Sequence, residues 1–95
     1  MIELMAFELR PGVDDATFMA ADRRVQTEFA YHQPGLVRRT TAHNDAGHWI
    51  VLDLWRSEAD ADACAARWEV DPIPAAFMAL VDERSVRSQR YQTLD

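Results

Sequence analysis

Lysine is absent and cysteine nearly so: the 95 residues hold one thiol, Cys64, and all ten basic side chains are arginine. A lone cysteine forms no internal disulfide, and without paired cysteines there is no zinc signature, which fits a reducing compartment. Positive charge is scarce as well. Ten basic against 16 acidic residues leave a net charge of −6, which argues against a nucleic-acid backbone or an anionic membrane as the main ligand, since both select clustered cations. No apolar run is long enough to span a bilayer, and Met1 to Arg10 carries two glutamates and no basic leader. Neither a secretory signal nor a membrane span is therefore expected, and the cytoplasm is the expected location. The three histidines, His32, His43 and His48, share no ligand spacing with one another or with an acid on a helix face, so no metal site is expected.

What the chain does have is 48% hydrophobic residues with aromatics spread along its length. That is enough for one packed domain over residues 1–95, with no room for a second. A chain this short nevertheless leaves a large share of its surface outside its own core.

The periodicity resolves into six main segments. Ile2 to Leu9 is apolar on both parities, the pattern of a strand covered on both faces. Arg10, Pro11 and Gly12 end it, and Asp14 or Asp15 offers a cap to a helix whose stripe, Phe18, Ala21, Val25 and Phe29, runs to about Tyr31. After His32 to Gly35, a strand over Leu36 to His43 and a more apolar one over His48 to Trp55 flank the polar turn Asn44 to Gly47, which predicts a hairpin. Ser57, with Asp60 three residues on, caps an alanine-rich helix to about Trp68. Asp71 and Pro72 break the chain, Pro74 to Leu80 reads as a short further helix, and Val86 to Leu94 as a last strand. The order strand, helix, strand, strand, helix, strand is the ferredoxin-like α+β plan, an antiparallel sheet with its helices on one face.

Helices on one face leave the other to water, yet the first strand and the second hairpin strand are apolar on both. Ile50, Leu52 and Leu54 alternate with Trp49, Val51, Asp53 and Trp55. Such a sheet needs a second cover, and the simplest is the same sheet of another copy, a closed two-fold homodimer.

Asp53-Leu54-Trp55, the following Ser57, the alanine-rich helix leading into Asp71-Pro72, the early Arg10-Pro11-Gly12 and the mid-chain Pro34-Gly35 resemble the antibiotic biosynthesis monooxygenase-like family over nearly the whole chain. The resemblance implies a dimeric α+β barrel and, for some members, cofactor-free oxygenation of aromatic compounds. It places Trp55 on the wall of a pocket between helices and sheet, which leaves Ile50, Leu52 and Leu54 for the dimer seam. Haem degraders of this family carry an Asn on the first strand and a His on the helix after the hairpin. Ile2 to Arg10 has no Asn and Glu58 to Val81 no His, so no haem, and no other cofactor, is expected.

Asp53 is the candidate catalytic base. It shares a strand face with Trp49, Val51 and Trp55, a low-dielectric wall that raises a carboxyl's proton affinity. The competing reading pairs Asp53 with Arg38, Arg39 or Arg90 and leaves it structural. Ala59, Ala61, Ala63, Ala65 and Ala66 permit either close packing or a cavity under the second helix. Trp55, Trp49, Phe18, Phe29, Trp68 and Phe77 are the candidates to line it. Cys64, among alanines, reads as a small hydrophobe. A cavity of this kind would take a small aromatic or apolar ligand, and with Asp53 among aromatics the family resemblance implies a cofactor-independent monooxygenase of phenolic compounds. The alternative is a non-catalytic ligand-binding, stress-related or dimerisation protein of the same fold.

Overall fold

The computed structural model describes residues 1–94. β1 (Ile2–Phe7) stops short of Leu9. The Glu8 N–H leaves the ladder for Ser85 Oγ at 2.8 Å, and Leu9 keeps only an isolated bridge to Val81. α1 (Asp15–Arg24) is capped by Asp14, which accepts from the Thr17 N–H at 2.7 Å and sets a carboxylate at the positive end of the helix. The predicted stripe is on the core side, with Phe18, Val25 and Phe29 all buried. The helix is not regular to Tyr31, however. Val25–Phe29 widens into a π turn and Ala30–His32 tightens into a 3-10 turn. The Thr27 hydroxyl bonds back to the Arg23 carbonyl at 2.9 Å, a local competition that loosens the helical ladder.

β2 (Leu36–His43) and β3 (Trp49–Trp55) form the hairpin. Its turn is held by the Asn44 side chain, which accepts from the Ala46 and His48 N–H groups at 3.0 Å each. Gly35, before β2, has φ +83, and any Cβ there would fall into the Asp60 carboxylate. Only glycine serves both demands. α2 (Glu58–Trp68) begins at the predicted cap, with Ser57 Oγ accepting from the Asp60 N–H at 3.1 Å and donating to Asp60 Oδ2 at 2.9 Å. α3 (Pro72–Met78) starts two residues before the predicted Pro74, because Asp71 caps it through the Ile73 N–H at 2.8 Å and Pro72 takes the first helical position. β4 (Arg87–Tyr91) is shorter than predicted at both ends. Val86 closes a 3-10 turn over Glu83–Ser85, and Tyr91 lies opposite Ile2, where β1 begins.

The sheet has strand order β2-β3-β1-β4, antiparallel throughout, the ferredoxin-like α+β plan that the sequence predicts. Register fixes the faces. Phe7, Met5 and Glu3 stand opposite Trp49, Val51 and Asp53 under the helices, while Ile2, Leu4 and Ala6 stand opposite Leu54, Leu52 and Ile50 on the other side. Trp49, Val51 and Trp55 are buried. The parity of Trp55 towards the helices is thus as expected. Ile2, Leu4, Leu52 and Leu54 are half-buried and Ile50 is exposed, an apolar strip along the two central strands with Arg38, Thr40, Arg87 and Gln89 on its flanks. No helix among the described residues is long and apolar enough to cross a membrane.

Candidate functional site

The helix-side core has two parts. In one, α1 and α3 lower Phe18 and Phe77 onto Phe7, Trp49 and Val51, with Val25 and Val81 completing the cluster. The Phe18 ring lies 4.7 Å from Trp49 and 4.9 Å from Phe77, centroid to centroid. In the other, α2 lays Ala61 and Cys64 over Phe29, Trp55 and Met1. These side chains are too short to reach the sheet everywhere. A cavity of about 220 Å³ remains beneath α2.

Its floor carries three charged side chains in consecutive cross-strand register, Arg39, Asp53 and Glu3, and Arg90, opposite Glu3 on β4, continues the row outside the cavity. Asp53 and Glu3 line the cavity along with Arg39, Met5, Val51, Trp55 and Ser88 from the sheet. Leu36, Phe29 and Ala30 close one side, and Ala61, Cys64, Ala65, Trp68 and Glu69 form the roof.

Arg39 is 4% exposed and is the one buried charged residue among those described. Its Nη2 donates to Asp22 Oδ1 at 2.7 Å and its Nη1 to Gln26 Oε1 at 3.2 Å, so α1 and the π turn share the guanidinium. Its backbone is held at the sheet edge by the Tyr31 hydroxyl, which accepts from the Arg39 N–H at 3.1 Å and reaches the Arg39 carbonyl at 3.2 Å. Nε stands 4.0 Å from Asp53 Oδ1, near enough for Coulomb attraction and too far for a hydrogen bond. Asp53 Oδ1 and Trp55 Nε1 are buried polar atoms without a hydrogen-bond partner among the described residues. An ionisable oxygen left in that condition is costly, and it marks a place where a ligand can supply what the protein withholds.

Burial pushes the Asp53 carboxyl up from its ordinary 3.8 to about 6. Arg39 opposes the shift, while the neighbouring carboxylates of Glu3 and Asp22 add to it. Burial likewise pushes the Cys64 thiol up to about 11, with Asp53 adding to the effect. Cys64 therefore stays protonated at neutral pH and behaves as a wall group rather than a nucleophile.

The cavity brings together Asp53, Trp55, Phe29 and Trp68 of the residues expected there. Phe18, Trp49 and Phe77 do not reach it. They are consumed by the neighbouring aromatic cluster, where Phe18 and Phe77 are wholly buried and Trp49 is also stacked on His43 at 4.4 Å. Of the arginines considered as partners for Asp53, Arg39 is the neighbour, and it spends its hydrogen bonds elsewhere. Glu3 was not expected in the site, although it shares strand parity with Met5 and Phe7 and so stands out as an acid on an apolar face. Among the described residues no cluster of three His, Cys, Asp or Glu side chains is placed to hold a metal ion.

No protein-family profile and no curated protein matches the chain. Solved structures do match. SnoaB, a cofactor-independent oxygenase from Streptomyces nogalater, superposes with a TM-score of 0.76 at 20% identity, covering 98% of this chain and 94% of its own. The fold is that of the antibiotic biosynthesis monooxygenase structures. A crystal structure of an antibiotic biosynthesis monooxygenase matches along 100% of both chains with a TM-score of 0.75 at 14% identity. NE2512, a protein of unknown function from Nitrosomonas europaea, has a TM-score of 0.74 at 18% identity over 99% of this chain and 88% of its own. At these identities the likeness establishes the architecture, and activity has to be argued from the site.

Proposed function

We propose that the cavity is the active site of a cofactor-independent monooxygenase acting on a small phenolic compound. The observation that carries this reading is Asp53, an ionisable carboxyl with an unpartnered buried oxygen in the wall of a largely apolar cavity. The likeness to SnoaB supports it at the level of the fold.

In this mechanism Asp53 takes the hydroxyl proton of the bound phenol. The resulting phenolate is electron-rich enough to pass an electron to dioxygen, and recombination forms a carbon–oxygen bond on the ring. Loss of water then leaves a quinone. The stoichiometry closes without an external reductant: a phenol and dioxygen give a quinone and water, the substrate supplying every electron. The protein's part is a base, a cavity and alignment. A base with a pKa of about 6 is ionised at neutral pH and still a better proton acceptor than an ordinary aspartate. Trp55, Phe29 and Trp68 are the aromatic walls against which the ring packs.

Size narrows the substrate. A cavity of about 150 Å³ is enough to bind benzene, so about 220 Å³ suits one substituted ring rather than an extended polycycle. The working unit in this reading is a cytoplasmic homodimer, in which the strip of Ile50, Leu52 and Leu54 with Ile2 and Leu4 is covered by the same strip of a second copy. Light scattering at micromolar concentration is expected to return twice the chain mass; a single-chain mass overturns the dimer.

Oxygen uptake with a panel of monocyclic phenols and hydroquinones tests the chemistry. Wild type is expected to consume oxygen and release quinone, and Asp53→Asn to lose about 10²-fold or more in kcat. Equal rates for the two proteins remove Asp53 from the mechanism. Saturable quenching of tryptophan fluorescence by the same compounds with no uptake leaves a binding protein.

A further inference from the structure

Arg39 and Asp53 stand side by side in the cavity wall without bonding to one another. Both line the cavity, they are cross-strand partners on β2 and β3, and Arg39 Nε lies 4.0 Å from Asp53 Oδ1. The guanidinium is fixed from behind. Its Nη2 donates to Asp22 Oδ1 at 2.7 Å, an oxygen that also accepts from the Thr41 hydroxyl at 2.9 Å, and its Nη1 donates to Gln26 Oε1 at 3.2 Å. The guanidinium carbon is 5.9 Å from the centre of the Phe77 ring. Nε is then the nitrogen that makes no hydrogen bond among the described residues, on a side chain only 2% exposed. Asp53 Oδ1 is likewise without a partner. A donor and an acceptor thus border one gap.

The width of that gap selects what fills it. It is too long for a direct bond, but one oxygen set off the line between the two atoms can accept from Nε at about 2.9 Å and donate to Oδ1 at about 2.7 Å. A hydroxyl does both at once. An aromatic amine donates but accepts poorly because its lone pair is drawn into the ring, an ether or carbonyl only accepts, and a carboxylate meets the Asp53 charge.

We propose that Arg39 holds the reacting oxygen of the substrate: the hydroxyl of a bound phenol sits between Arg39 Nε and Asp53 Oδ1, accepting from the first and donating to the second. The inference rests on the reading of the cavity as an acid–base site and supplies a partner for the charge that Asp53 creates. When the phenol O–H bond breaks, the proton forms an O–H bond on Asp53 and the electron pair stays on the phenolate oxygen, against a guanidinium already locked by Asp22 and Gln26. A donor held in place before the charge develops has no reorganisation to undergo, and its bond strengthens as the oxygen becomes anionic.

The test is binding in the absence of oxygen, where no turnover intervenes. Phenol and aniline share a ring and nearly a size, and both donate to Asp53, but only phenol accepts well from Nε. Calorimetry on the full chain at neutral pH is expected to give wild type a Kd for phenol about tenfold below that for aniline. Arg39→Lys puts a methylene in the place of Nε and keeps a cation for Asp22, so the preference should shrink to within about threefold. A purely structural Arg39 would weaken both ligands together and keep the ratio, which overturns the proposal, as does equal affinity or no binding of phenol in wild type. Should Arg39→Lys not fold, proton–nitrogen NMR of wild type decides: the Arg39 Nε–H resonance is expected to move downfield on saturation with phenol and to stay near its free position with aniline, and a resonance that phenol leaves unmoved overturns the proposal. Oxygen uptake without the preference leaves the monooxygenase reading standing without Arg39, and the preference without uptake leaves Arg39 holding the hydroxyl in a binding protein.

Discussion

The two halves of β3 face the same layer of helices and end in opposite conditions. Trp49 meets Phe18 and Phe77 in a cluster of large rings with centroids 4.7 and 4.9 Å apart, and Val51 stands at the border between that cluster and the cavity. Trp55, on the same face a few residues on, meets Ala61 and Cys64, and Asp53 borders the cavity beneath them. One strand thus carries both a stability centre and a candidate site, and the difference lies in the size of the side chains that α2 brings, compared with those of α1 and α3. Close packing makes the first half sensitive to every missing atom. In the second half the missing atoms are the cavity itself.

Truncation should expose the contrast most strongly. Phe18→Ala is expected to cost about 3–5 kcal/mol, and Phe29→Ala less, because a residue lining a cavity already lacks packing partners on one side. Paired urea melts measure both, and equal losses would erase the distinction between the halves.

The next effect has the opposite sign. The folded state holds the Asp53 proton at about 6 against 3.8, so between those values it binds more protons than the unfolded chain. Its stability therefore falls as pH rises through that window and stays lower above it. At ~1.4 kcal/mol per pH unit the ionised carboxylate costs about 2–3 kcal/mol. Asp53→Asn should raise the melting temperature by roughly 10 °C at pH 8 and scarcely change it at pH 3.5. Calorimetry at the two pH values checks this, and a variant no more stable than wild type at pH 8 would mean that the cavity wall solvates the charge. A gain in stability alongside lost activity is the trade expected where a site is kept strained for function.

The smallest change sharpens the comparison from the cavity side. Cys64→Leu adds volume where there is space, so its stability cost should stay under about 1.5 kcal/mol, while quenching of tryptophan fluorescence by phenols is abolished. A large destabilisation with ligand binding intact would place the empty volume elsewhere.

Much of this architecture is legible in the residues themselves. The alternation of Trp49, Val51, Asp53 and Trp55 with Ile50, Leu52 and Leu54 marks two faces, and Ser57 and Asn44 mark a cap and a turn where the structure has them, whereas Asp71, read as a break, is the cap of α3. The irregular end of the first helix is not legible, because the stripe through Val25 and Phe29 looks the same whether the ladder is α or π until Gln26 is seen bonding Arg39. The site was read only in part for a similar reason. Phe18, Trp49 and Phe77 are aromatic, apolar and on the correct faces, as Phe29, Trp55 and Trp68 are, and no periodicity distinguishes a ring that fills space from one that borders it.

The sequence by itself determined the order of elements, the ferredoxin-like plan and the strand parity on which Asp53 and Trp55 stand, since these follow from local spacing and from backbone periods of two and about 3.6 residues. Only the tertiary structure decided that Arg39 bonds to Asp22 and Gln26 instead of neutralising Asp53, that Glu3 is the cross-strand neighbour of Asp53, and that the space opens under α2. Strand register and the volume left between packed layers depend on residues distant in the chain, and neither is encoded in any one segment.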